Sequence, residues 1–271
     1  MIATMHHKEQ VMAPILEKDL GVICSIPKDF DTDGFGTFSG EITRISDALT
    51  VARQKCLAAI VATNCDLAVA SEGSFGPHPS AYFASADDEL VVLIDRKNQL
   101  EIIGRSISFK TNFSGTSITT EKELLDFASQ AQFPSHGLIL RSSQHSVEDM
   151  VKGIVSPEIL LAQFHYLKSK YASVFVETDM RAMYNPTRME IISMATKQLV
   201  ENVQSLCPEC QTPGFTITEV NTGLPCSWCG SPTSSVLSHL YNCKKCSFTK
   251  AFMYPNHKKT EDPGFCNYCN P

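Results

Sequence analysis

The residues with the most chemistry in this chain are eight cysteines arranged as four Cys-x-x-Cys pairs: Cys207/Cys210, Cys226/Cys229, Cys243/Cys246 and Cys266/Cys269. Two thiolates three residues apart turn inward on one tight knuckle, and two knuckles close four sulfurs around a soft dication. Eight thiolates are the ligand count of two tetrahedral zinc ions. A site closed by four thiolates keeps no open position for a substrate, so these ions hold structure and any reaction belongs to the residues before the tail. Gaps of 15 residues between Cys210 and Cys226 and of 19 between Cys246 and Cys266 suit sequential pairing, giving two successive ribbons. The gap of 13 between Cys229 and Cys243 suits a second arrangement, in which the inner two knuckles share one ion and the outer two the other. Spacing leaves both open. His239 and His257 are possible substitute ligands, but eight thiolates already fill two sites, and both read as surface residues.

Stepping from these ligands to what carries them, 271 residues suffice for one α/β core and a small appendage. The expected architecture is a layered, mixed-sheet α/β domain over residues 1–203, with a ligand-binding or catalytic role, followed by a small zinc-ribbon-like β domain over 204–271. The amino terminus turns polar early, and no stretch approaches 18 uninterrupted apolar residues, so a cytoplasmic protein without membrane contact is expected. In a reducing compartment paired cysteines read as metal ligands, and Cys24, Cys56 and Cys65, set among apolar neighbours, read as core. The formal charge is −6, and from Gln204 onward five lysines face four carboxylates. That surplus of one, less the four negative charges that eight thiolates retain beside two dications, leaves the tail at about −3. A surface meant to displace counterions from a phosphate backbone is basic, so nucleic acid is a disfavoured partner. Trp228, Tyr241, Phe248 and Tyr268 lie near the knuckles, either as stacking platforms for bases or as the tail's small core.

In the first 200 residues strand-like and helix-like patterns alternate. Short strands are expected at Ile2–Thr4 and Val22–Ile26, with a helix between them from Lys8 to Leu20 that ends at Gly21. A Gly-rich loop at Asp31–Gly40 precedes a helix from Ile45 to Ile60, which buries one apolar face and turns Arg53 and Lys55 elsewhere. A strand at Leu67–Ser71 runs into Glu72–Pro79, where two glycines and two prolines argue against regular structure. A hairpin at Leu90–Ile94 and Leu100–Ile103 turns on Asp95–Asn98. Helices are expected at Glu121–Ala131, at Pro157–Lys170 with Ser156 as cap, and from Thr187 to about Val203 behind Asn185-Pro186, with strands at Gly137–Arg141 and Ser173–Glu177.

Candidate functional side chains fall at the ends of these elements. Glu177, Asp179 and Arg181 alternate, so an extended chain projects all three to one side, and two carboxylates beside a guanidinium suit a metal and a phosphate. Arg188 stands in the first turn of the last helix, where backbone N–H groups attract anions. The rival reading makes these groups an ion-pair network between strand and helix. Glu72 ends a strand and is followed by glycine, a placement that suits magnesium; otherwise it is a loop acid in water. Lys8, beginning the first helix, and His78, between two prolines, are candidate phosphate-binding groups, and His6 and His7 sit beside Lys8 as possible metal or base contacts.

Ala3–Glu9, Ser71–Pro79, Glu177–Ala182 and Asn185–Met189, taken with the Cys-x-x-Cys tail, resemble a bacterial family that supplies no established activity. Over about the first 110 residues, the Ala-Thr strand, the lysine-bearing helix, Gly-Glu-x-x-Arg at Gly40–Arg44 and Cys65–Gly73 are similar to the inosine/xanthosine triphosphate pyrophosphatases. That resemblance implies an elongated α/β fold, Lys8 on a triphosphate, Glu72 on magnesium and Glu41 assisting. The resulting expectation is a hydrolase that cleaves a phosphorylated small molecule, nucleotide-like, with Mg2+. In it Glu72, Asp179 and Glu177 serve the metal and the water, and Lys8, Arg181, Arg188 and His78 serve the phosphates. The alternative is a non-catalytic binding module whose zinc ribbons contact protein or nucleic acid.

Overall fold

A computed structural model describes residues 1–28, 30, 46–78, 81 and 83–271. The expected Gly-rich loop at Asp31–Gly40, together with Glu41, Arg44, Ile45 and Pro79, lies outside the described residues. The chain forms two compact units, Met1–Val200 and Glu201–Pro271.

The first unit is α/β. Helix α1 (Glu9–Leu20) ends on Gly21, whose left-handed φ of 66° a side chain would strain, and α2 (Ala48–Thr63) starts where Asp47 Oδ1 accepts the Thr50 N–H at 3.0 Å. Strands β1 (Leu67–Pro77), β2 (Ser85–Asp95) and β3 (Leu100–Ser108) make an antiparallel sheet in that order, and Ile2 adds a single parallel bridge to Val69. Successive residues point to opposite faces. Ala68, Ala70 and Val92 therefore pack on Ala52, Cys56, Ala59 and Ile60 of α2. The other face carries Val91 and its cross-strand partner Gly104. There the last helix of the unit, α5 (Pro186–Gln204), comes so close that a Cβ on Gly104 would stand 2.3 Å from Ala195 O and Leu199 N. One sheet is thus layered between two helices.

A second antiparallel sheet has the order β4 (Gly115–Ile118), β7 (Val174–Thr178), β5 (Leu138–Arg141), β6 (Val151–Ile154). Helices α3 (Glu121–Gln130) and α4 (Pro157–Lys170) cover it, with Leu124, Phe127, Leu160, Phe164 and Leu167 meeting Leu138, Leu140, Val174 and Val176. Helix α4 begins as its sequence demands: Ser156 Oγ accepts the Ile159 N–H and Pro157 fills the first turn. Among the described residues no helix is long and apolar enough to cross a membrane.

Four expectations need correction. Residues 22–26 form no strand; Ser25 O accepts the Ile2 N–H, but no ladder continues it. The stretch from Glu72 to Pro77 is the second half of β1, because β2 offers it an unbroken antiparallel ladder and the proline falls at the strand's last residue. Lys55, expected on an open face of α2, is buried. Of the three cysteines read as core, only Cys56 is fully buried, with its thiol pushed up to about 12 by burial, whereas Cys24 and Cys65 are half-buried.

The second unit is an antiparallel meander of β8 (Thr216–Thr222), β9 (Val236–Asn242) and β10 (Thr249–Met253). Its apolar core is small: Phe215 beside Cys207 and Cys243, with Tyr241 and Phe248 packed against them. Every residue of β10 is exposed. So little buried area does not hold a fold of about 70 residues without cross-links or metal.

Candidate functional site

The eight tail cysteines gather into two groups, Cys207/Cys210/Cys243/Cys246 and Cys226/Cys229/Cys266/Cys269, each with its four sulfurs within 4.8 Å of one another. Sγ separations are 3.6 Å for Cys207–Cys246, Cys210–Cys243 and Cys229–Cys266, and 3.9 Å for Cys226–Cys269. Zn–S bonds of about 2.3 Å in a tetrahedron place sulfurs about 3.8 Å apart, whereas a disulfide needs about 2.0 Å. The donor set fits two structural zinc ions. His239 and His257 belong to neither group.

The grouping is neither of the two arrangements that the spacing allowed. The first knuckle joins the third and the second joins the fourth, and the meander is the reason. Asn242 pairs with Thr216 on one side and Thr249 on the other, so the start of β8, the end of β9 and the start of β10 lie together. Knuckles one and three sit at that end. One strand length later the chain reaches the opposite end, where knuckle two follows β8 and knuckle four follows β10. Each knuckle is built by the backbone: Cys207, Cys226 and Cys243 accept from the N–H four residues on, and Gln211, Gly230 and Ser247 after the second cysteine are left-handed. Thr212, and likewise Ser231, hydrogen-bonds the exposed thiol beside it and draws Cys210 and Cys229 down to about 6, favouring the thiolate that a metal needs.

In the first unit a set of charges is buried between the sheet and its helices. On the α2 face Lys55 Nζ pairs with Glu72 Oε1. On the α5 face Arg188 Nε donates to Glu89 Oε1 at 2.6 Å and Nη1 to Met180 O, with both charged side chains at 0% exposure. Asn185 Oδ1 caps α5 by accepting the Arg188 N–H at 3.0 Å, which fixes the arginine's position. Lys8 Nζ lies at the strand edge and donates to Ser71 O at 3.1 Å. Its ammonium feels burial first, then Arg188, and falls to about 8, with Glu72 and Glu89 opposing the shift. Asp87 is held up to about 8 by burial and by Glu89, against the pull of Arg188. Gly73 shows why a glycine is needed here: a Cβ would stand 2.1 Å from Glu89 Oε1, so the room beside the backbone is filled by the protein's own carboxylate.

Of the residues singled out in the sequence, Lys8 feels both Arg188 and Glu72, but these two lie on opposite faces of the sheet, Glu72 with Lys55 and Arg188 with Glu89. Asp179 and Arg181 form a neighbouring pair at 2.6 Å, with Asp179 also accepting the Gly153 N–H at 3.0 Å and Arg181 lying over the Tyr184 ring. Glu177 stands apart on Arg141, its carboxyl raised by burial. His78 stacks on Phe109 with ring centroids 4.3 Å apart, and the His7 side chain is 55% exposed beside Glu9. A groove of about 590 Å³ between α1 and α5 is lined by His7, Gln10, Met183, Met189, Met194 and Lys197, but not by Lys8 or Arg188.

Sequence reasoning missed Lys55, Asp87 and Glu89. Asp87 and Glu89 fall ahead of the strand expected from Leu90; the signal that could have found them is the strand's period of two, which puts both on the face of Val91. In the tail, Tyr241 and Phe248 join the core, whereas Trp228 and Tyr268 are 79% and 83% exposed on the two knuckles of one metal group.

Among curated proteins and among solved structures no match to the chain is found. A family model matches residues 55–271, which hold all eight tail cysteines together with Lys55, Glu72, Asp87, Glu89 and Arg188 and leave Lys8 outside. The chain belongs to the family described as Domain of unknown function (DUF6671).

Proposed function

We propose that the first unit binds a phosphorylated small molecule, nucleotide-like, and cleaves it with a magnesium ion, while the zinc-bearing tail braces the protein. The observation that carries this reading is the burial of Lys55 with Glu72 on one face of β1 and β2 and of Arg188 with Asp87 and Glu89 on the other, with Lys8 feeling the charges of both sets. Burying six ionisable groups is costly unless they are mutually paired, and two of them, Lys8 and Asp87, titrate near 8, in the range that suits proton transfer at neutral pH. In this reading Lys8 and Arg188 neutralise charge developing on the phosphates, Arg181 extends that field, and the carboxylates orient metal and water. Phosphate release from a panel of nucleoside triphosphates with Mg2+ tests it: turnover that Lys8→Ala abolishes is the expected result. A panel with neither turnover nor thermal stabilisation by any phosphate ester ends the reading.

A second reading is favoured by the exposed Trp228 and Tyr268, which share one metal group. On it the tail is a contact surface for another protein, since its charge disfavours a phosphate backbone. Loss of partner capture on Trp228→Ala with zinc content unchanged supports it; salt-sensitive binding to single-stranded RNA counts against it.

A further inference from the structure

Asp87 and Glu89 sit two residues apart on β2, so their side chains leave the same face of the sheet. Asp87 is 1% exposed and Glu89 0%. Among the described residues Asp87 Oδ1 and Glu89 Oε2 are buried oxygens with no hydrogen-bond partner. Buried carboxylate oxygens rarely stay so, because each forfeits its hydration without compensation. Arg188 takes only the other oxygen of Glu89, at 2.6 Å. The neighbouring carboxyls also act on each other, Glu89 raising Asp87. Asp87 and Glu89 also hydrogen-bond each other, and Arg188 Nη2 is likewise a buried atom with no hydrogen-bond partner, so the two acid oxygens are resolved either by a shared proton or by a cation.

We propose that Asp87 Oδ1 and Glu89 Oε2 are the protein ligands of a hard divalent cation, a magnesium-class ion. The choice of ion rests on the phosphohydrolase reading. It moves the metal from Glu72, whose Oε1 is occupied by Lys55, to a carboxylate pair that the sequence did not single out. Magnesium commonly takes one or two carboxylates and completes its shell with water and phosphate oxygens, so two ligands from one strand suffice. The charges around Asp87 are Glu89 and Asp88 on its own strand and Arg188 from α5, with Lys8 and Glu72 beyond them. Arg188 keeps this pair from being a strong general cation trap and leaves a positive charge beside the ion for a phosphate. Binding the ion expels the proton that Asp87 otherwise holds near neutral pH.

The test is a titration of the full-length, zinc-loaded chain with Mn2+ alone, following free Mn2+ by electron paramagnetic resonance. Thiolate sites retain zinc against this ion. One Mn2+ per chain is expected. Asp87→Asn and Glu89→Gln each weaken it at least tenfold, Asp66→Asn does not, and affinity rises as pH increases from 6 to 8. No binding at millimolar Mn2+, or equal binding by the variants, overturns the proposal and leaves a shared proton as the occupant. If the variants do not fold, an anomalous difference map from Mn2+-soaked wild-type crystals decides: a peak between the two oxygens supports the site, and a peak elsewhere overturns it. Bound Mn2+ at Asp87 without turnover of any phosphate ester sinks the hydrolase reading alone; turnover with the ion elsewhere sinks only this assignment.

Discussion

The two units bury charge in opposite ways. In the tail eight thiols converge on two points and almost no apolar core surrounds them, so charge is gathered by residues that have no side-chain counter-ion. Crowding shows the cost: contact with the other sulfurs, Cys229 first, pushes the Cys269 thiol up to about 12. Four such groups shed their protons together only onto a dication. In the first unit the buried Lys55 and Arg188 each have a carboxylate beside them, and the apolar clusters against α2, α3 and α4 supply the packing. The comparison separates a fold that depends on an external ion from one that neutralises its own charge.

The largest expected effect breaks the tail. Removing zinc with a strong chelator unfolds it, a loss on the order of 10 kcal/mol, while the first unit stays protected in hydrogen exchange. The crossed pairing makes a sharper version. Cys207→Ser alone, and Cys207→Ser with Cys243→Ser, each cost one zinc of two by elemental analysis, whereas Cys207→Ser with Cys226→Ser costs both. Sequential ribbons predict the reverse for the two double variants.

Next in size is the buried pair on α5. Arg188→Met leaves Glu89 charged in a dry site and lowers stability by about 3–5 kcal/mol in denaturant melts. Replacing both residues with methionine recovers most of that, since the cost lies in the abandoned charge and not in the missing attraction. A double variant as unstable as the single one would make packing, not charge, the role of Arg188.

A smaller effect follows from Asp87. Its folded pKa of about 8 lies above the ordinary carboxylate value of 3.8, so the native state holds a proton that the unfolded chain has released between those limits. Its contribution is fully present below about pH 4 and is lost as pH rises through 8. Thermal melts of the zinc-loaded protein without added Mg2+ or Mn2+, from pH 5.5 to 8, therefore slope downward in the wild type, and Asp87→Asn flattens the slope. The smallest effect is the contrast case: Arg105→Ala removes an ion pair to Asp88 whose arginine is 54% exposed, and costs less than about 1 kcal/mol.

How much of this was readable varies by element. Helix α4 was legible to the residue because its signals are local: Ser156 supplies the oxygen that accepts the Ile159 N–H, and Pro157 the fixed φ. Asn185 ahead of α5 is the same case. Residues 72–77 were misread because glycine and proline report what the isolated chain prefers, while β2 supplied a ladder that outweighed the preference. Lys55 and Glu89 were missed because their partners come from elsewhere, Arg188 standing 99 residues from Glu89.

Sequence by itself determined that the tail carries the ligands for metal, how many ions they suit and which eight sulfurs they are, since ligand type and knuckle spacing are properties of a few adjacent residues. It also determined the α/β class, through periodicity that each element carries alone. Tertiary structure decided which knuckles meet, because that depends on an antiparallel chain returning to the same end on every second pass. It likewise decided which acids are buried, because an acid leaves water only where the fold delivers a cation, as for Glu72 and Glu89, or lets it keep its proton, as for Asp87.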